Sequence, residues 1–403
     1  MGEPTGDSVK GFLRHAMAAA IPLSVHWDLT WRCDHRCVHC YLTHRRQPEL
    51  SFAECLDVLD QLAAAGTMML LISGGDPFLR PDAVDIIRAA RKRGFDVRIN
   101  THGNFIDDAV ADALAEVGVS RVALSVYSAT PAAHEAITLV PGSHIKTLAA
   151  ARRLIARGVP VRFKTPVMLH NRLEYREVGP LAEAMGASWE LDAHLVPDDD
   201  SDFGLCRIGL HPTDRVLAML TDLDRSREHV EPVATLPDAP SEARTCSAGT
   251  ASGYLAPDGG LYACINWRER IGSVREAPFA ALWQGGPVID RLREVRRASY
   301  LGDCGGCAFH GKCGYCPGLS HAETGDAGRR SAYVCERTHQ TMSAIEHMNR
   351  LRDEGAPVPA PDSPEAEALL ARSTFADRQW AARRAGLARP ADAVPLVTIH
   401  EPR

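Results

Sequence analysis

The chain has 403 residues, 45% of them hydrophobic and 24% charged, with a net charge of -6. That length implies two or three domains of ordinary size, and the composition is that of a globular protein. The net negative charge argues against a nucleic-acid footprint or a polybasic membrane patch, and no run approaches the ~20 apolar residues of a membrane span.

Residues 1–22 read as a short N-terminal extension. The apolar run at 16–23 is too short, and too interrupted by Pro22, for a signal sequence, so a cytoplasmic protein is expected. From 23 to 230, apolar strand-like runs alternate with amphipathic helical ones. Strands are predicted over 25–29, 68–73, 97–100, 121–126, 161–168 and 189–195. Helices are predicted over 52–65, 82–93, 107–117, 145–157, 174–185 and 213–227. Gly66, Gly94, Gly118, Gly158 and Gly186 stand where helices should end. Six such units predict parallel strands with right-handed crossovers. Six is too few for a closed eight-stranded barrel, so an α/β fold with an open, partial (β/α)6 barrel is expected, its chemistry at the C-terminal strand ends.

Residues 231–245, rich in Pro, Ala and acidic side chains, read as a linker. The segment 246–345 is rich in Gly and Cys and poor in helical pattern, so it is expected to need metal to hold it together. Its basic run Arg291, Arg293, Arg296 and Arg297 reads as a solvated helix face. A tail over 346–403 carries one expected short helix near 364–385.

Ten of the 12 cysteines fall into two groups, leaving Cys55 and Cys206 apart. In a long chain without a secretion signal, such spacing indicates metal or cluster binding rather than disulfides. The first group is Cys33, Cys37 and Cys40. Three thiols cannot close a four-thiolate site, but they can hold three irons of a [4Fe–4S] cube and leave one iron open. His39 lies between two of them, awkwardly placed as a fourth zinc ligand. The second group is Cys246, Cys264, Cys304, Cys307, Cys313, Cys316 and Cys335. On spacing alone its two CxxC pairs also suit a closed zinc site.

The triplet and its surroundings, Thr30-Trp-Arg-Cys33 through His39-Cys40-Tyr41, resemble the CxxxCxxC signature of the radical SAM superfamily. That resemblance implies an open iron that chelates S-adenosylmethionine, whose reductive cleavage yields a 5′-deoxyadenosyl radical. Ser73-Gly74-Gly75-Asp76-Pro77 resembles the family's GGEP turn, with Asp for Glu. There the glycines are expected to admit the methionine ammonium and Asp76 to neutralise it. Asn100-Thr101-His102-Gly103-Asn104 resembles its TNG segment, with His102 for Asn. By the same resemblance Tyr41, Thr101, Ser125 and Lys164 join Gly74, Gly75, Asp76 and Pro77 as cofactor contacts.

The later cysteines resemble a SPASM domain with two auxiliary [4Fe–4S] clusters, for a total of three. The family's interleaved ligation implies Cys246, Cys264 and Cys316 on one cluster. It implies Cys304, Cys307, Cys313 and Cys335 on the other. Two residues, where the family has three, separate Cys313 from Cys316. The first auxiliary cluster then has an open iron unless Cys206 is its fourth ligand.

Asp192 and the segment from Cys316 to Glu323-Thr-Gly-Asp326 resemble the branch that crosslinks or tailors ribosomally made peptides. The implied partners are a precursor peptide and an electron donor such as flavodoxin or ferredoxin. Only 22 residues precede the first strand, so a leader-binding protein is expected to be separate. Ile265, in place of an Asp after Cys264, argues against sulfatase maturation. Alternatives are a tetrapyrrole side-chain decarboxylase of the haem pathway, a small-molecule dehydrogenase or epimerase, and a zinc-stabilised binding protein without radical chemistry. Asp192, His194, His170 and Tyr315 are the candidate acid–base groups. The acidic run Asp198-Asp199-Asp200 reads as a solvated loop, with reception of a basic peptide as the alternative.

Overall fold

A computed structural model describes residues 6–43, 48–226 and 231–385. After helix α1 (Gly6–Ala18) come β1 (Ser24–Thr30), α2 (Phe52–Ala64), β2 (Met69–Gly74), α3 (Ala83–Lys92), β3 (Asp96–Thr101) and α4 (Asp108–Val117). Then follow β4 (Arg121–Ser125), α5 (Pro131–Thr138), α6 (Ser143–Ala156), β5 (Val161–Pro166), α7 (Val178–Met185), β6 (Ser188–Asp192) and α8 (Pro212–Ser226). Strands β1 to β6 pair in parallel, each with its sequence neighbour. The expected partial barrel is present. The five glycines predicted to end helices have φ of 87°, 89°, 69°, 75° and 79°, the left-handed turn that stops a helix.

Alternation along each strand sorts the two faces of the sheet. Val25, Trp27, Leu29, Leu70, Ile72, Val97, Ile99, Val122, Leu124 and Phe163 pack against the helices in one apolar core. Each such side chain contributes roughly 1.5–3 kcal/mol by burial. The opposite face is polar, presenting His26, Asp28, Ser73, Asn100, Ser125 and Lys164 at alternate positions.

The sheet does not stop at six strands. Three more, β7 (Ser252–Leu255), β8 (Gly260–Tyr262) and β9 (Gly272–Ser273), extend it beyond β1, giving nine in the order β6-β5-β4-β3-β2-β1-β7-β8-β9. β7 runs parallel to β1, with His26 opposite Tyr254. This pairing covers the edge that β1 would otherwise expose. Buried Asp28 locks the join: its carboxylate accepts from Tyr254 Oη at 2.8 Å and from Trp31 Nε1 at 3.1 Å.

Downstream lie α9 (Phe279–Gln284), α10 (Pro287–Glu294), α11 (Leu301–Cys304), α12 (Pro317–Thr324), α13 (Ala332–Glu354), α14 (Pro364–Leu370) and α15 (Phe375–Ala385). The segment expected to be poor in helix therefore holds four helices before α13, each too short to show a period. Beyond exposed Arg291, the arginine run is also not a solvated face. Buried Arg297 donates to the carbonyls of His310 and Cys313, and Arg293 to those of Gly249, Gln284 and Trp283. A fold rich in irregular backbone leaves carbonyls unpaired, and guanidinium groups satisfy several at once. α13 crosses the boundary expected at 345, and Val216, Leu217 and Leu220 of α8 join Met348, Leu351 and Leu369 in one apolar cluster.

Candidate cluster and cofactor sites

The loop after β1 carries Cys33, Cys37 and Cys40, all half-buried. Two backbone bonds hang it on the end of α5: Arg36 N donates to Thr138 O and Val38 N to Ile137 O. A turn then brings Cys40 N to Cys37 O at 3.0 Å. Tyr127 Oη stands 4.0 Å from Cys37 Sγ, and the Tyr127 ring meets His39 edge-on. α5, eight residues long with a proline near its start, was absent from the sequence reading yet positions the loop.

The glycine pair serves the same loop. A Cβ on Gly74 would lie 2.0 Å from Thr30 O, and one on Gly75 2.1 Å from Arg32 O. Gly75 N donates to Thr30 O and Asp76 N to Arg32 O, so β2's end and the cysteine loop are stitched backbone to backbone. Asp76 follows the pair. It is fully buried, and its carboxylate accepts from Phe78 N, Thr101 Oγ1 and His102 N. It fixes the turn that Pro77 opens and fastens it to β3.

His102 Nε2 lies 2.8 Å from Asp34 Oδ1 and 3.2 Å from Asp76 Oδ2, with its ring stacked on His35 at 3.9 Å. Burial opposes its charge, but Asp76, Asp34 and the Cys33 thiol outweigh burial and lift its pKa to about 10. A cation thus stands beside the first cysteine. Asp34 adjoins Cys33 in sequence, but its pairing with His102 is set by the fold and carried no sequence signal.

Ser125 and Lys164 are register partners on β4 and β5, and Lys164 Nζ lies 4.0 Å from Glu190 Oε1. Asp192 ends β6, accepts from His194 N at 2.9 Å, and lies 3.6 Å from His194 Nδ1. His170 is exposed and is close enough to His39 to oppose its protonation. Tyr315 is not with them. It stacks on Tyr300 at 4.0 Å, and its Oη is 2.7 Å from His310 Nδ1, beside the later cysteines. Asp199 is not a solvated acid either: it accepts from Thr43 N, and its own N–H donates to Tyr41 O, clasping the end of the cysteine loop. Between that loop and Cys264 lies a cavity of about 280 Å³, walled by Trp31, Tyr254, Tyr262, Trp267 and Arg268. Arg268 also lies over the Tyr41 ring.

The later cysteines form two sets. Cys304, Cys307, Cys313 and Cys335 line one cavity with Tyr315, Arg330 and Arg383. Cys246, Cys264 and Cys316 are one another's charge neighbours. Cys206 instead contacts Leu195 O and Tyr333, near Asp202, Arg215 and Glu323. Burial pushes the Cys264 and Cys335 thiols up to about 12 and Cys313 up to about 11. Burial raises lone Cys55 to about 12 as well, so it is the grouping of these thiols, not their titration, that makes them a donor set for metal. Three separate thiol sets fit three iron–sulfur groups. Arg330 and Arg383 went unnoticed in the sequence, as neither belongs to a motif.

The radical SAM superfamily model matches residues 28–184, and the model of the SPASM iron–sulfur cluster-binding domain matches 246–308. Together they span more than half of the chain. An AdoMet-dependent heme synthase of Methanosarcina barkeri is 25% identical over 78% of this chain and 97% of its own length. The PqqA peptide cyclase of Gluconobacter oxydans is 29% identical over 59% of this chain and 62% of its own. Streptococcus suis SuiB, solved with its precursor peptide SuiA, shares the fold at a TM-score of 0.65. That match has 14% identity and covers 83% of this chain and 82% of SuiB. The cysteine loop over its glycine turn, the polar strand face and the two later thiol sets thus have a family: the chain is an enzyme of the radical SAM superfamily that carries a SPASM domain.

Proposed function

We propose that this enzyme removes a hydrogen atom from a ribosomally made peptide, giving a crosslink or another side-chain modification. The observation that carries the radical step is the stitching of the Cys33–Cys40 loop to the Gly74–Gly75 turn, with Thr101, Ser125 and Lys164 on or beside the same polar strand face. When bound there, a [4Fe–4S] cluster and S-adenosylmethionine supply the 5′-deoxyadenosyl radical. Cys33, Cys37 and Cys40 would hold the cluster. Gly74, Gly75, Pro77, Thr101, Ser125, Lys164 and Tyr41 would form the cofactor's seat, with Asp76 fixing Thr101 and His102 from below. Cys246, Cys264 and Cys316 would hold one auxiliary cluster, and Cys304, Cys307, Cys313 and Cys335 the other. The domains in this reading are a core over 23–230 and a SPASM unit over 246–345. A flavodoxin- or ferredoxin-type donor would reduce the protein, and a separate protein would present the peptide leader.

Support for a peptide comes from the similarity to a peptide cyclase. A tetrapyrrole substrate is the second reading. It is favoured by the heme-synthase relative, matched over nearly its whole length. One assay decides between them. The anaerobically reconstituted enzyme, with dithionite and S-adenosylmethionine, is offered either candidate precursor peptides encoded in its genome or a propionate-bearing tetrapyrrole. The peptide reading expects a mass change in the peptide and none in the tetrapyrrole. The reverse result overturns it.

A further inference from the structure

The C-terminal tail reaches the four-cysteine cavity. α15 is docked on α13 and on the cysteine-bearing loop before it: Phe375 meets Phe309 edge-on at 5.8 Å, Ala376 is fully buried with its N–H on Glu346, and Trp380 packs on His339 at 5.3 Å. His339 in turn contacts Cys335, with Nδ1 2.8 Å from its carbonyl and 3.9 Å from its sulfur. One turn beyond Trp380, Arg383 enters the cavity lined by Cys304, Cys307, Cys313 and Cys335, where its guanidinium is a charge neighbour of Cys304, Cys307 and Cys335. Both family-model matches end well before this helix.

We propose that Arg383 is a tuning residue for the distal auxiliary cluster, closing its site with a fixed positive charge. The inference rests on the reading that these four thiols hold a [4Fe–4S] cluster. Four thiolates around such a cluster leave net negative charge, and each added electron increases it. A guanidinium that stays protonated beside the cluster favours the reduced state, so it raises the reduction potential. Arg330 lines the same cavity but lies on the loop before α13, so the tail contributes a second cation. The tail thereby sets how readily the last cluster accepts an electron.

The test is an EPR-monitored redox titration of the full anaerobic chain as wild type, Arg383→Gln and Arg383→Lys. A Cys304→Ala/Cys307→Ala variant identifies the distal signal as the one it removes. Arg383→Gln is expected to move that signal to a more negative potential and leave the other two unchanged. Arg383→Lys, which keeps the charge, is expected to lie closer to wild type. An unmoved distal potential in Arg383→Gln overturns the inference. So does an Arg383→Lys shift as large as the Gln shift, because that assigns the effect to a loosened tail rather than to charge. If wild type shows no signal that the double cysteine variant removes, it is the cluster reading that fails instead.

Discussion

At the scale of single residues, the distinction between what holds a ligand and what holds the loop decides most roles. Gly74 and Gly75 are required because another stretch of backbone occupies the space a Cβ would need. Gly75→Ala should therefore displace the cysteine loop, and iron analysis should fall from ~12 to ~8 per chain while the auxiliary signals persist. Unchanged iron would contradict this account of the turn. The arginines behave the same way. Arg297→Met strips two buried carbonyls of a donor and should cost about 2–4 kcal/mol in anaerobic denaturation. Arg291→Met removes only an exposed pair with Glu269 and should cost roughly 0–1 kcal/mol. Equal costs would restore the solvated-face reading. The cysteine groups were legible because ligand spacing is local. The Asp34–His102 pair and Arg383 were not, because the fold alone brings His102 to Asp34 and Arg383 to the later cysteines.

At the scale of elements, the six strand–helix units were legible because each is long enough to show its period, and glycines mark the helix ends. β7, β8 and β9 have four, three and two residues, too few to alternate visibly, so the extension of the sheet past β1 was missed. That extension couples the cysteine-rich region to the core through Asp28, Trp31 and Tyr254. Tyr254→Phe leaves the buried carboxylate one donor short and should cost about 1.5–3 kcal/mol. The loss is to be read as a lower denaturation midpoint of the anaerobic protein. A midpoint equal to wild type would mean that the hairpin's pairing alone makes the join. α5 was missed for its brevity, and it shows that a helix of eight residues can matter for where it ends rather than for what it buries.

At the scale of the whole molecule, one continuous sheet and one long helix connect three thiol sets. The first lies at the C-terminal end of β1, where strand-end chemistry is expected in this fold. The second flanks the hairpin that extends that same strand's edge, Cys246 before it and Cys264 after it, with the aromatic-walled cavity between Cys264 and the cysteine loop. The third is closed by α13 and by the tail. Among the described residues no helix is long and apolar enough to cross a membrane. The most direct measurement is 5′-deoxyadenosine formation by the anaerobic, reconstituted protein with S-adenosylmethionine and dithionite. The account predicts that wild type forms it and Cys33→Ala does not. A colourless protein holding zinc, with no 5′-deoxyadenosine from wild type, would contradict it.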